Sequence, residues 1–216
     1  MKLDKLLYEV TKAKRGIKPA YTRYHVLKCL LVVYREEPIG RLKLSKILRL
    51  SETTVRTLIS RLKELNIVCV DRVGGVYLTS EGREIIGKVM EIFVDYGRID
   101  TAYTERIIPH YKYAYYLKLR IPIQTLNIKL TELRDIVIRC GGEAALILTV
   151  ENGKLYLPYD ETAICEDEDE RLKLLRRELG IEGVRTILIA FSSKSEYIAE
   201  KAAIETLIEL LTSKIS

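Results

Sequence analysis

Between residues 51 and 65 the sequence SETTVRTLISRLKEL sets short hydroxyls and guanidiniums at helical spacing. On a 3.6-residue period Val55, Leu58, Ile59, Leu62 and Leu65 form an apolar stripe, while Thr53, Thr57, Ser60 and Glu64 point away from it. Arg56 and Arg61 flank the outward face, and Ser51 stands where a helix N-cap is needed. Short hydroxyls let a helix approach base edges closely, and an arginine can hold guanine through two parallel hydrogen bonds. Just upstream, Lys43, Lys46 and Arg49 are suited to phosphates, which fix register without reading sequence. Downstream, Arg72 precedes Gly74-Gly75, where a hairpin tip can reach a minor groove or the backbone, or can be plain solvated surface. The chemistry of this set is contact with double-stranded DNA.

These side chains need elements to aim them. Leu44, Ile47 and Leu48 mark a helix ahead of Ser51, Ile67–Asp71 and Val76–Leu78 read as strands around the glycine turn, and Thr79 or Ser80 can cap a further helix. That helix carries Ile85, Val89, Ile92, Phe93 and Tyr96 on one face. Helix, tight turn, capped helix, hairpin and helix make a winged helix-turn-helix, which pushes its second helix into the major groove. Residues 1–18 add a short helix and a basic, Gly/Pro-punctuated arm, KAKRGIKPA.

The second half has a different rhythm. Lys112–Arg120 can form a strand, and Thr131–Cys140 a helix ended by Gly141-Gly142. Ala144–Val150 and Lys154–Leu157 flank Asn152-Gly153, a strong hairpin signal. Asp167–Leu179 reads as a helix, Arg185–Phe191 as an apolar strand, and Ser193 with Glu196 as a capping box opening a last helix to about Thr212. The expected class is α+β: an N-terminal winged helix-turn-helix (1–97), a linker (98–110) and a ferredoxin-like βαββαβ domain with an extra C-terminal helix (111–216).

Charge follows the same division. Residues 1–65 carry 16 Lys/Arg against 6 Asp/Glu, whereas residues 66–216 carry 20 against 24. A basic N-terminal part on an acidic remainder is the electrostatic footprint of a nucleic-acid reader. The acidic run Cys165–Glu170 lacks the spacing of a calcium loop and reads as a solvated helix start. Tyr103, Tyr111, Tyr113, Tyr115 and Tyr116 read as a half-buried strand region rather than a stacking platform for single strands.

Catalysis finds no support: there is no G-x-S-x-G, P-loop or G-x-G-x-x-G, and His25 and His110 have no evident nucleophile. Cys29, Cys69, Cys140 and Cys165 form no C-x-x-C pair, so no metal and no cofactor is expected. The junction Phe191–Ser195 is either simple capping or an anion-binding effector site made of Ser192, Ser193, Lys194 and Ser195. No apolar run approaches a membrane span and no signal peptide opens the chain, so a cytoplasmic location is expected. Scarce amides beside abundant Lys, Glu and Ile suit a thermophile.

The segments TVRTLISRLKELNIV and LTSEG resemble the winged-helix cores of prokaryotic regulators of the multiple-antibiotic-resistance and arsenic-repressor type. Together with KRGIKPAYTRYHVLKCL and the GGEAALILT…NGKLYLP hairpin, the chain resembles a family of archaeal winged-helix proteins of unassigned function. The resemblance implies a transcription regulator with a C-terminal domain that does not reveal its ligand. The expected function is a DNA-binding regulator acting as a homodimer through residues 81–96 and 193–212, with a small molecule as a candidate effector. The alternative is a winged-helix module that binds protein or RNA.

Overall fold

In the computed structural model, which describes residues 1–14, 16–71, 75–158 and 162–213, the chain divides into two units, Met1–Met90 and Glu91–Ser216. The first opens with α1 (Leu3–Thr11), α2 (Arg23–Glu36), α3 (Arg41–Leu48) and α4 (Glu52–Glu64). The hairpin β1 (Val68–Asp71) and β2 (Gly75–Leu78) follows, then α5 (Ser80–Ile92). This is the expected winged-helix order. The stripe of α4 points inward: Val55, Leu58, Ile59 and Leu62 are buried, each worth about 1.5–3 kcal/mol. Leu65 ends the helix half-buried.

Local chemistry fixes the wing against the helices. Val76 and Ile39 exchange backbone hydrogen bonds, adding the segment before α3 to the hairpin. A Cβ at Gly75 (φ +102) would stand 2.6 Å from the Ile39 carbonyl oxygen, so only glycine permits that approach. Glu37 secures the same corner by accepting from the Leu78 amide at 2.7 Å and pairing with Arg83. Thr79 caps α5, its hydroxyl accepting from the Gly82 amide at 3.1 Å. The hydroxyl proton goes to Asn66 O at 2.6 Å, so LTSEG ties helix start to strand start.

The second unit is built on one antiparallel sheet of six strands. Its strands are β3 (Phe93–Ile99), β4 (Tyr113–Leu119), β5 (Ala144–Glu151), β6 (Lys154–Pro158), β7 (Ala163–Cys165) and β8 (Thr186–Ser192), in the order β3-β4-β8-β5-β6-β7. α6 (Leu130–Arg139) and α8 (Glu196–Ser213) pack on β5 and on β4 and β8, and α7 (Glu170–Leu179) packs on β6. Leu172, Leu175 and Leu179 of α7 join Leu146, Leu148, Ile187, Ile189 and Phe191 in a buried cluster.

Three expectations are corrected. Residues 93–99 do not continue the preceding helix; they pair with β4, so residues 98–110 end one strand and connect it to the next. The expected βαββαβ plus a helix is present with an added strand, β7, between β6 and α7, but the ferredoxin-like pairing is not. There the third strand of the motif would separate the first two, whereas here the last strand, β8, stands between β4 and β5. Every residue of β8 is buried, which suits a central strand covered on both faces, while β6 alternates and stands farther out. Thirdly, the acidic run is not wholly solvated. Glu166 is buried, accepts from the Leu155 amide at 2.8 Å and pairs with Arg176 at 3.0 Å, and Asp169 caps α7.

Candidate nucleic-acid interface

Ser51 starts α4 by accepting from the Thr54 amide at 3.2 Å, and three residues separate α3 from α4. Arg49 closes α3 in the left-handed conformation (φ 54), so the chain turns sharply between the two helices. With the stripe of α4 buried, Ser51, Glu52, Thr53, Arg56, Thr57, Ser60, Lys63 and Glu64 are exposed. Thr57 Oγ1 donates to Thr53 O at 3.1 Å, the back-bond common for a hydroxyl on an exposed helix face. Lys43, Lys46 and Arg49 are exposed at α3, and Lys43 rests on Glu36 at 2.6 Å, a surface pair that a phosphate can replace at little cost.

Arg61 is the exception among the expected contacts. It is 8% exposed, and its Nη1 donates to Val10 O at 2.9 Å and Lys12 O at 2.7 Å. Its role is therefore corrected from base or backbone contact to holding the end of α1 and the following loop against α4. The guanidinium is drawn inward because helix-terminal carbonyls lack donors of their own. Arg72 lies outside the described residues.

The loop itself was visible in sequence as a basic arm, without a place. Lys14 and Ile17 exchange backbone hydrogen bonds at 3.1 Å around Gly16 (φ 78). Lys14 Nζ reaches Glu64 of α4 at 2.5 Å. That hydrogen bond and the positive charge hold the Glu64 carboxyl below its usual pKa. Between loop and helix lies a cleft of about 270 Å³ whose walls include Lys14, Lys18, Thr53 and Thr57.

In the second unit the Ser192–Ser195 junction is satisfied internally. Glu143 accepts from Ser192 Oγ at 3.2 Å, from the Ser193 amide at 3.1 Å and from Ser193 Oγ at 2.6 Å. These donors keep its carboxyl below the usual range. Buried Ser192 also accepts from the Lys194 amide at 3.1 Å, and Ser195, not Ser193, caps α8 by accepting from the Ile198 amide at 3.3 Å. At the expected effector site a carboxylate of the chain already takes the serine donors an anion would use. The expected dimer elements change too. Residues 81–96 are not one helix, and Ile204, Leu207, Ile208 and Leu211 of α8 are buried within the single chain.

The fold is a winged-helix unit joined to an α+β unit. Residues 20–93 match the model of the CggR N-terminal DNA binding domain, and residues 111–210 match a domain of unknown function, DUF4443. Among solved structures the chain is similar to hypothetical protein PH0730 from Pyrococcus horikoshii OT3, with 26% identity and a TM-score of 0.64 over 91% of this chain and 96% of that one. No curated protein matches. Among the described residues, no helix is long and apolar enough to cross a membrane.

Proposed function

We propose that this protein is a DNA-binding transcription regulator whose α4 enters the major groove of a duplex. The carrying observation is the division of α4 into a buried stripe and an exposed face of Thr53, Arg56, Thr57 and Ser60, in a segment that matches a DNA-binding domain model. Ser51 caps and aims the helix. Arg56 reads a guanine edge, the hydroxyls adapt to neighbouring bases, and Lys43, Lys46 and Arg49 hold phosphates. One helix reads too few base pairs for useful selectivity, so the protein acts as a homodimer on a two-fold site. The second unit serves that dimer or senses a small molecule, using surfaces other than α8 and the Ser192–Ser195 junction.

Selection of bound duplexes from a random pool tests this reading. The selected sequence should outbind random DNA by a factor above about 10³, and Arg56→Ala and Thr57→Ala should change which sequence is selected. Unchanged selection in both variants removes α4 as the reading helix. Failure to bind any duplex at low salt leaves the protein- or RNA-binding module as the better reading.

A further inference from the structure

We infer that the loop 12–20 is a second DNA-contacting element, with Lys14 and Lys18 holding phosphates of the strand that flanks α4. This rests on the reading of α4 above. Four observations carry it. The loop is closed at its base: Val10 O accepts from both Arg61 Nη1 at 2.9 Å and Tyr21 Oη at 3.1 Å, so residues 10 and 21 are held together. Its tip is shaped by the reciprocal Lys14–Ile17 hydrogen bonds. It stands beside the exposed face of α4, because Lys14 lines one cleft with Thr53 and Thr57 and another, of about 350 Å³, with Arg56 and Ser60. Its sequence from Lys12 to Lys18 is basic, with no acidic residue.

The charge balance says what fits. Lys14 is matched in the free protein by Glu64, but both side chains are about half exposed, at 47% and 55%. A pair so solvated holds the lysine only weakly. A phosphodiester offers a comparable oxygen and also releases condensed counterions on binding, so exchange of the Glu64 carboxylate for a phosphate is favourable at low salt. Ile17, 74% exposed at the tip, gives the loop an apolar edge that a deoxyribose can cover. A helix lying in the major groove has a phosphate backbone on each side, and the loop stands where one of them runs. Its lysines add affinity without adding base selectivity.

The test is the salt dependence of binding, by fluorescence anisotropy on the duplex selected by the wild type and on a random one. Lys14→Ala/Lys18→Ala should weaken binding to both duplexes alike. It should also lower the slope of log K against log salt by about 0.9 for each lysine, with the selected sequence unchanged. Ethylation interference should show phosphates on the flanking strand that matter to the wild type and not to the variant. An unchanged slope and footprint in the variant overturns the loop assignment while leaving the α4 reading intact. Absence of any duplex binding by the wild type overturns both. Should the double variant fold poorly, Lys18→Ala alone should lower the slope by about 0.9; no change in slope there overturns the proposal equally.

Discussion

Arg61 Nη1 donates to Val10 O at 2.9 Å, so α4 is fastened to the last turn of α1. A second bond from the same nitrogen, to Lys12 O at 2.7 Å, extends the fastening into the loop. Arg61→Ala leaves two acceptors short of a charged donor and a gap where the side chain packed. It should lower unfolding free energy by about 3 kcal/mol, measured by urea denaturation. Arg61→Lys keeps the charge but not the planar fork, and should recover less than half of the loss. A loss no larger than that of an exposed arginine would show that the fastening contributes little.

Gly82 has no room for a methyl group. A Cβ there would stand 2.2 Å from Ile67 O, a backbone atom that cannot swing aside. Gly82→Ala should therefore destabilise the first unit by at least about 3 kcal/mol, although alanine is the better helix former. Gly87, in the same helix with nothing near its Cβ position, is the control: Gly87→Ala should stabilise by about 0.5–1 kcal/mol. Paired denaturation curves read both.

Glu143 gives a pH signature. Ser193 donates to its carboxylate from side chain and backbone, and Ser192 adds a third bond, so the folded pKa lies below the unfolded one. A carboxyl depressed in this way contributes stability that is fully present above its unfolded pKa, near 4.3. That contribution is lost as pH falls through the folded value. The stability difference between wild type and Glu143→Gln should therefore shrink between about pH 5 and pH 3. A difference independent of pH across that range would mean that the carboxylate is not held by these donors.

Lys118 has the opposite sign. Its ammonium is buried, donates to Leu179 O at the end of α7 and lies 4.7 Å from the Tyr116 ring centre, while Tyr116 Oη donates to Asp95 at 3.0 Å. Burial lowers its pKa, and the Asp95 charge opposes that shift only in part. The folded protein thus releases this proton before the unfolded chain does. Stability attributable to Lys118 should rise as pH climbs from the folded pKa toward the unfolded value near 10.4. Urea midpoints of wild type minus Lys118→Met, followed from pH 8 to 10.5, should increase; a flat difference would count against desolvation.

The sequence was most readable where one helix or hairpin contains all its own signals. Ser51 and the stripe from Val55 to Leu62 needed no distant partner, nor did Asn152-Gly153, whose φ values of 50 and 73 make the tight β5–β6 turn. Phe93 and Tyr96 misled because they continue the i, i+3, i+4 spacing of Val89 and Ile92. What makes them a strand is pairing with β4, about twenty residues away. Arg61 misled for a related reason. A helical wheel marks it as flanking, and only the carbonyls of Val10 and Lys12 turn it inward. The exposure of Thr53, Arg56, Thr57 and Ser60 followed from the stripe alone. The neighbouring loop did not, because its place is set by the bonds that Arg61, about fifty residues away, donates to Val10 O and Lys12 O.

The double use of the Val10 carbonyl has a kinetic meaning. A free basic tail sweeps a wide volume, speeds encounter and then gives up its conformational entropy when it settles. The loop after α1, its described residues 12–14 and 16–20 gathered at both ends to one oxygen atom, has surrendered much of that freedom on folding. Such a hoop gains little capture radius. In the DNA contact inferred above, its advantage would fall on the dissociation side, in long residence on a duplex once aligned.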